Sequence, residues 1–197
     1  MDFWDDGLGL SLTIFVPLIG ALLVGFTSKK NEEPAKWLSL LTALATLGIT
    51  IAAALAFDYD AAATFQFGTD LEWIPGIDAS YQIGIDGISL PMLVLSAFVT
   101  VLAIIYSWNH WDEPKNPKAF LILILVLAAG MNGTFVALDL ILFFIFFEVV
   151  LLPMYFMIGI WGDSSEKKIP VFNRVTEMRL YASIKFFVFT FFGSAFM

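Results

Sequence analysis

Six apolar runs, most of them about twenty residues long, decide what this chain can fold into. They cover 8–27, 36–57, 87–108, 119–138, 140–161 and 181–197. A run of that length spans the hydrocarbon core as a helix, because in lipid each backbone N–H and C=O must find its partner inside the segment. With 59% of its 197 residues hydrophobic and 14% charged, the chain reads as an all-α polytopic membrane protein of about six transmembrane helices. The sixth run stops at Met197 without a polar flank, an aromatic anchor or a loop, so it reads as truncated. Residues 1–197 are expected to form a single membrane domain, a fragment of something longer.

Composition also removes chemistries. Without cysteine there is no disulfide, no thiolate iron–sulfur ligation and no cysteine zinc site. A single histidine, His110, excludes a bis-histidine haem. The Gly7–Leu10 stretch GLGL has the wrong spacing for a dinucleotide or phosphate loop. No metal or cofactor site is expected in this chain, and nothing in it points to nucleic acid. The acidic start MDFWDD lacks the positive region of a signal peptide, so the first apolar run is a retained helix.

Charge gives the orientation. Lys29, Lys30 and Lys36 flank the first loop, Lys115 and Lys118 the third, and Lys167, Lys168, Arg174 and Arg179 the fifth. With Lys185, just inside the sixth run, these are all ten basic residues, and the second loop and the Asp139 turn have none. Odd-numbered loops are therefore cytoplasmic and the N-terminus lies outside. The outer loop 58–86 carries six carboxylates and alternates apolar with polar residues on either side of Pro75-Gly76. That pattern predicts a short β-hairpin over the outer face. Its acids read first as a solvated surface.

Within 140–161 stands one carboxylate, Glu148, nine residues past Asp139 and thirteen before Trp161. At the helical rise it lies ~14 Å from one end and ~20 Å from the other. Its neighbours one turn away are Phe144, Ile145, Leu151 and Leu152, so its own helix offers no partner. An acid at this depth costs roughly 2.5–3.5 kcal/mol on insertion scales and faces a bundle interior or a hydrated path. Pro153 cannot donate to the Val149 carbonyl, which predicts a kink beside the site. Two readings stand for Glu148: a group that exchanges protons, or one kept protonated for helix packing.

Other residues carry paired readings too. Asp86, in GIDGISLP, fits a cap on the third helix near Ser89, with a place on a proton path as the alternative. His110 and Trp111 suit an interfacial anchor, with a relay role for His110 as the rival. Gly130, Asn132 and Gly133 read as helix packing, ahead of an ion ligand. The phenylalanines Phe143, Phe144, Phe146 and Phe147 are packing or lipid-facing surface. Lys185 either snorkels to the headgroups or joins Glu148 in a buried ionisable chain, although the depths discourage a direct ion pair.

Three stretches, ALDLILFFIFFEVVLLPMYFMIGIWG, GIDGISLPM and YASIKFFVFTFFGS, resemble the antiporter-like membrane subunits of the proton-pumping NADH–quinone oxidoreductase, respiratory complex I. That family is shared with multisubunit sodium/proton antiporters and some membrane-bound hydrogenases. GIDGISLP and LLPMYF favour the chain M branch. The resemblance covers nearly all of this chain but only the N-terminal portion of a fold of about fourteen helices. It implies that Glu148 is the glutamate of a proton-translocating charge pair, with its lysine on a seventh helix beyond Met197. It also implies that Lys185 sits on the cytoplasmic side of the proton path. NADH, FMN, iron–sulfur clusters and quinone would belong to other subunits. The implied partners are the other complex I membrane subunits, neighbouring antiporter-like ones above all, in the inner membrane of a bacterial cell. The alternative is a subunit of a cation/proton antiporter or a membrane-bound hydrogenase.

Overall fold

The computed structural model describes residues 4, 6–28, 32–77, 79–109, 116–169 and 174–196. Six helices carry the chain: α1 (Leu8–Phe26), α2 (Glu33–Ala56), α3 (Ser89–Tyr106), α4 (Pro117–Val136), α5 (Leu140–Trp161) and α6 (Met178–Ser194). Five of them, α1 to α5, are long and apolar enough to cross a membrane, and α6 has 17 residues. Helix α2 starts ahead of its apolar run because Glu33 and Pro34 supply an acidic first turn and a proline at the start, where no amide is needed.

Helix α4 is the hub, packed against α1, α2, α3 and α5, while α6 lies along α5. Close approach of α1 and α2 depends on Gly20, where an added Cβ would land on the Thr42 side chain. The face of α2 turned inward is Ser39, Thr42, Thr46 and Thr50, one hydroxyl per turn. Each hydroxyl donates to a carbonyl three or four residues back, so this polar stripe is satisfied by its own helix and packs as small residues do.

Proline shapes the α1–α4 contact. Pro17 has no amide to give the Thr13 carbonyl, and Asn132 of α4 donates to that carbonyl instead, at 2.8 Å. Ser96 of α3 donates to the Asn132 amide oxygen at 2.9 Å, tying three helices at a fully buried point. The packing reading of Gly130, Asn132 and Gly133 thus has its geometry. A Cβ at Gly133 would enter the Phe146 ring, and one at Gly130 would approach Val150.

The hairpin expected in 58–86 is present as β1 (Gln66–Ile74) and β2 (Ala79–Ile85), antiparallel, turning through Pro75–Ile77. It rests on the bundle: Leu138 N–H donates to the Gln82 carbonyl, and Tyr81 OH donates to Ser11 Oγ at 3.0 Å. Burial pushes the Tyr81 hydroxyl up from its ordinary value, against the hydrogen bond to Ser11. A second antiparallel pair, β3 (Glu166–Ile169) with β4 (Arg174–Glu177), lies in the fifth loop, where no strand is expected from the residues.

The ends sort to two faces. The hairpin, the start of α1 and the α4–α5 turn share one. On the other, Lys118 Nζ donates to the Gly25 and Thr27 carbonyls at the end of α1, at 2.8 and 2.6 Å. The Trp37 and Trp108 rings meet edge-on at 5.0 Å, Phe120 meets Trp161 at 5.2 Å, and Arg179 donates to the Ile160 carbonyl. Lys36, Lys118 and Arg179 are on this second face, opposite the acidic hairpin, while Lys185 lies within α6. His110, Trp111, Lys29, Lys30 and Lys115 lie outside the described residues.

Candidate functional site

Helix α5 is aimed from its N-terminal end. Asp139 Oδ1 accepts from Leu142 N–H at 2.8 Å and caps the first turn, while the hairpin holds the preceding residues through Ile83 and Ala137. From there α5 runs unbroken to Trp161, with Pro153 buried inside it. The Val149 carbonyl cannot bond to residue 153, so backbone polarity is loosened one residue from Glu148.

Helices α5 and α6 keep a single antiparallel register. Gly159 faces Ser183, the Tyr155 and Phe187 rings meet at 5.6 Å, and Glu148 meets Ser194. Each step back along α5 is matched by an equal step forward along α6. Glu148 therefore faces α6 and is half-buried there, with the Ser194 hydroxyl donating to its Oε1. Ser194 is also 3.0 Å from the Phe191 carbonyl. It was missed in the sequence, where a serine near the end of a phenylalanine-rich run carries little signal of its own.

The same register separates Lys185 from the acid. Lys185 lies nine residues before Ser194, ~14 Å along the axis, level with Met157. Its ammonium sits over the Tyr181 ring, 5.7 Å from the centroid. Among the described residues Glu148 and Lys185 form no ion pair; the two pairs are Lys36–Glu33 and Arg179–Glu177.

Asp86 is at the N-terminal end of α3. Its Oδ1 accepts from the amides of Ser89 at 2.7 Å and Ile88 at 3.0 Å, and its own amide donates to Ser89 Oγ. Those bonds, led by that from the Ser89 amide, hold the Asp86 carboxyl below its usual value. No cluster of three or more histidine, cysteine or carboxylate groups able to hold a metal occurs among the described residues.

A bundle of membrane-length helices, hairpin-capped on its acidic face and carrying one mid-helix carboxylate between α5 and α6, defines the class: a polytopic integral membrane protein. Residues 12–134 match the family model for the amino terminus of NADH-ubiquinone oxidoreductase chain 4, and residues 137–197 that for the transmembrane region of NADH:quinone oxidoreductase/Mrp antiporter proteins. The chain belongs to this family of complex I subunit M-like proteins. It is 39% identical over 180 residues to the F(420)H(2) dehydrogenase subunit M of Methanosarcina mazei, an alignment covering 91% of this chain and 33% of that protein. With the NADH-quinone oxidoreductase subunit M of Rhodobacter capsulatus it shares 36% over 192 residues, 95% of this chain and 34% of that one. The chain thus spans about a third of the length of the curated relatives it matches. Its fold is also that of a chain in respiratory complex I from Thermus thermophilus with bound NADH, with a TM-score of 0.72 and 21% identity, covering 94% of this chain and 33% of that one.

Proposed function

We propose that residues 1–197 form the N-terminal part of a proton-translocating membrane-arm subunit of an NADH–quinone oxidoreductase, in which Glu148 takes up and releases a proton. The observation that carries this reading is the placement of Glu148: mid-helix, turned toward α6, and hydrogen-bonded by Ser194 with no cation beside it among the described residues. A carboxyl in such a place changes charge state when a cation approaches or withdraws, because a nearby positive charge favours the ionised form and low polarity favours the neutral one. The cation is expected from the longer subunit, since Lys185 lies ~14 Å along the axis from the level of Glu148. Electron transfer, and with it NADH, flavin, iron–sulfur clusters and quinone, is assigned to other subunits. Neighbouring antiporter-like subunits are the proposed partners, in a bacterial inner membrane.

The face bearing Lys36, Lys118 and Arg179 is assigned to the cytoplasm, and the hairpin to the outside. The subunit M relatives of bacterial quinone reductases favour this reading. A second reading, a cation/proton antiporter subunit, is favoured by the shared model over 137–197. Glu148→Gln in the full-length subunit of the assembled complex tests the first. Donor-driven acidification of sealed vesicles is expected to fall severalfold with assembly intact. Undiminished acidification would remove Glu148 from the mechanism. Sodium-dependent exchange without donor oxidation would select the antiporter.

A further inference from the structure

We propose that Ser194 is the positioning residue of the Glu148 site, a hydroxyl that satisfies the carboxyl in both of its protonation states. The inference rests on the proton-exchanging reading of Glu148.

Ser194 is 6% exposed, at the end of α6 and opposite Glu148 in the α5–α6 register. One hydroxyl has one proton and two lone pairs. Two acceptors are within its reach: Glu148 Oε1, and the Phe191 carbonyl at 3.0 Å. The carbonyl also accepts from the Ala195 amide and has a second lone pair to offer. With Glu148 ionised, the serine proton points at the carboxylate, a charge-assisted bond. With Glu148 protonated, the acid O–H donates to Ser194 Oγ, and the serine proton turns to the Phe191 carbonyl. No covalent bond between heavy atoms changes. The proton gained by the carboxyl comes from outside the pair, and the serine keeps its own.

The consequence is mechanical. A half-buried carboxyl that alternates between charged and neutral against a helix leaves a polar atom on that side unpaired in one state unless its neighbour can switch between donor and acceptor. Lysine and backbone amides only donate, and a carbonyl only accepts. A hydroxyl does both. The other serine and threonine hydroxyls of α6, those of Thr190 and Ser183, each donate to their own helix, to the Phe186 and Leu180 carbonyls. Among the described residues, Ser194 alone bonds to Glu148.

The test uses the full-length subunit in its assembled complex, with Ser194→Ala, Ser194→Thr and Ser194→Cys beside Glu148→Gln. Infrared spectra read the C=O stretch of protonated Glu148, assigned by its loss in Glu148→Gln. The alanine variant is expected to move that band to higher wavenumber and slow donor-driven proton translocation roughly tenfold. Threonine restores both. Cysteine, a weaker donor, gives intermediate values and carries the comparison if the alanine variant does not assemble. An unmoved band and full pumping rate in Ser194→Ala or Ser194→Cys overturn the role of Ser194. Full pumping in Glu148→Gln instead overturns the reading beneath it.

Discussion

Asn132 of α4 replaces the amide that Pro17 withholds from the Thr13 carbonyl of α1, and the two residues act as one device. Asn132→Ala leaves that carbonyl and the Ser96 hydroxyl without their partner, at a cost of about 1–2 kcal/mol. Pro17→Ala restores a helical donor for Thr13 and should reduce that cost. Thermal unfolding in detergent of the single and double variants gives the coupling; strict additivity would mean that Pro17 and Asn132 are unrelated.

Gly133 and Gly48 separate packing from propensity. A methyl at Gly133 enters the Phe146 ring and must push α4 from α5, which typically costs about 1–3 kcal/mol. Nothing lies within 4 Å of a methyl at Gly48, so Gly48→Ala should be neutral or stabilise by up to about 1 kcal/mol. Melting temperatures of the two variants should shift in opposite directions or differ clearly.

Lys118 holds the last carbonyls of α1 from the start of α4. Lys118→Met keeps the stem and removes the donors, and should cost about 1–3 kcal/mol. Faster protease cleavage in the first loop of membrane-embedded protein is the readout.

Asp86 gives a pH signature on the hairpin face. Its carboxyl is held below the ordinary aspartate value by the amides it caps, so the folded state favours the ionised form. That contribution is complete above the unfolded value of about 4 and is lost as pH falls through it toward the folded value. Asp86→Ala should lower stability by about 0.5–2 kcal/mol at neutral pH and show a smaller deficit below pH ~3.5. An equal deficit at both would show that the carboxylate bonds contribute nothing.

Much of this architecture is legible in the residues. Apolar run length places five spanning helices, and α5 coincides with its run because Asp139 and Gly162 bracket it. Alternation around Pro75-Gly76 marks the first hairpin. The second hairpin is silent because EKKI and RVTE are charged on both sides and show no apolar face. Glu148 stands out as a charge among apolar neighbours, whereas Ser194 becomes visible only once the α5–α6 register is known. Sequence separation hides such pairings: the two stand 46 positions apart, and only the antiparallel packing joins them. The same register explains why Lys185, although it is a charge in an apolar run, stands apart from the acid.

The central claim is that the Glu148 carboxyl changes protonation while the complex turns over. Infrared difference spectra of the assembled complex, recorded as donor oxidation starts and stops, test it most directly, with the band assigned by its absence in Glu148→Gln. A carboxyl signal from Glu148 that rises and decays with turnover is the predicted result. Sustained donor oxidation and proton translocation, with no spectral change assignable to Glu148, would contradict it.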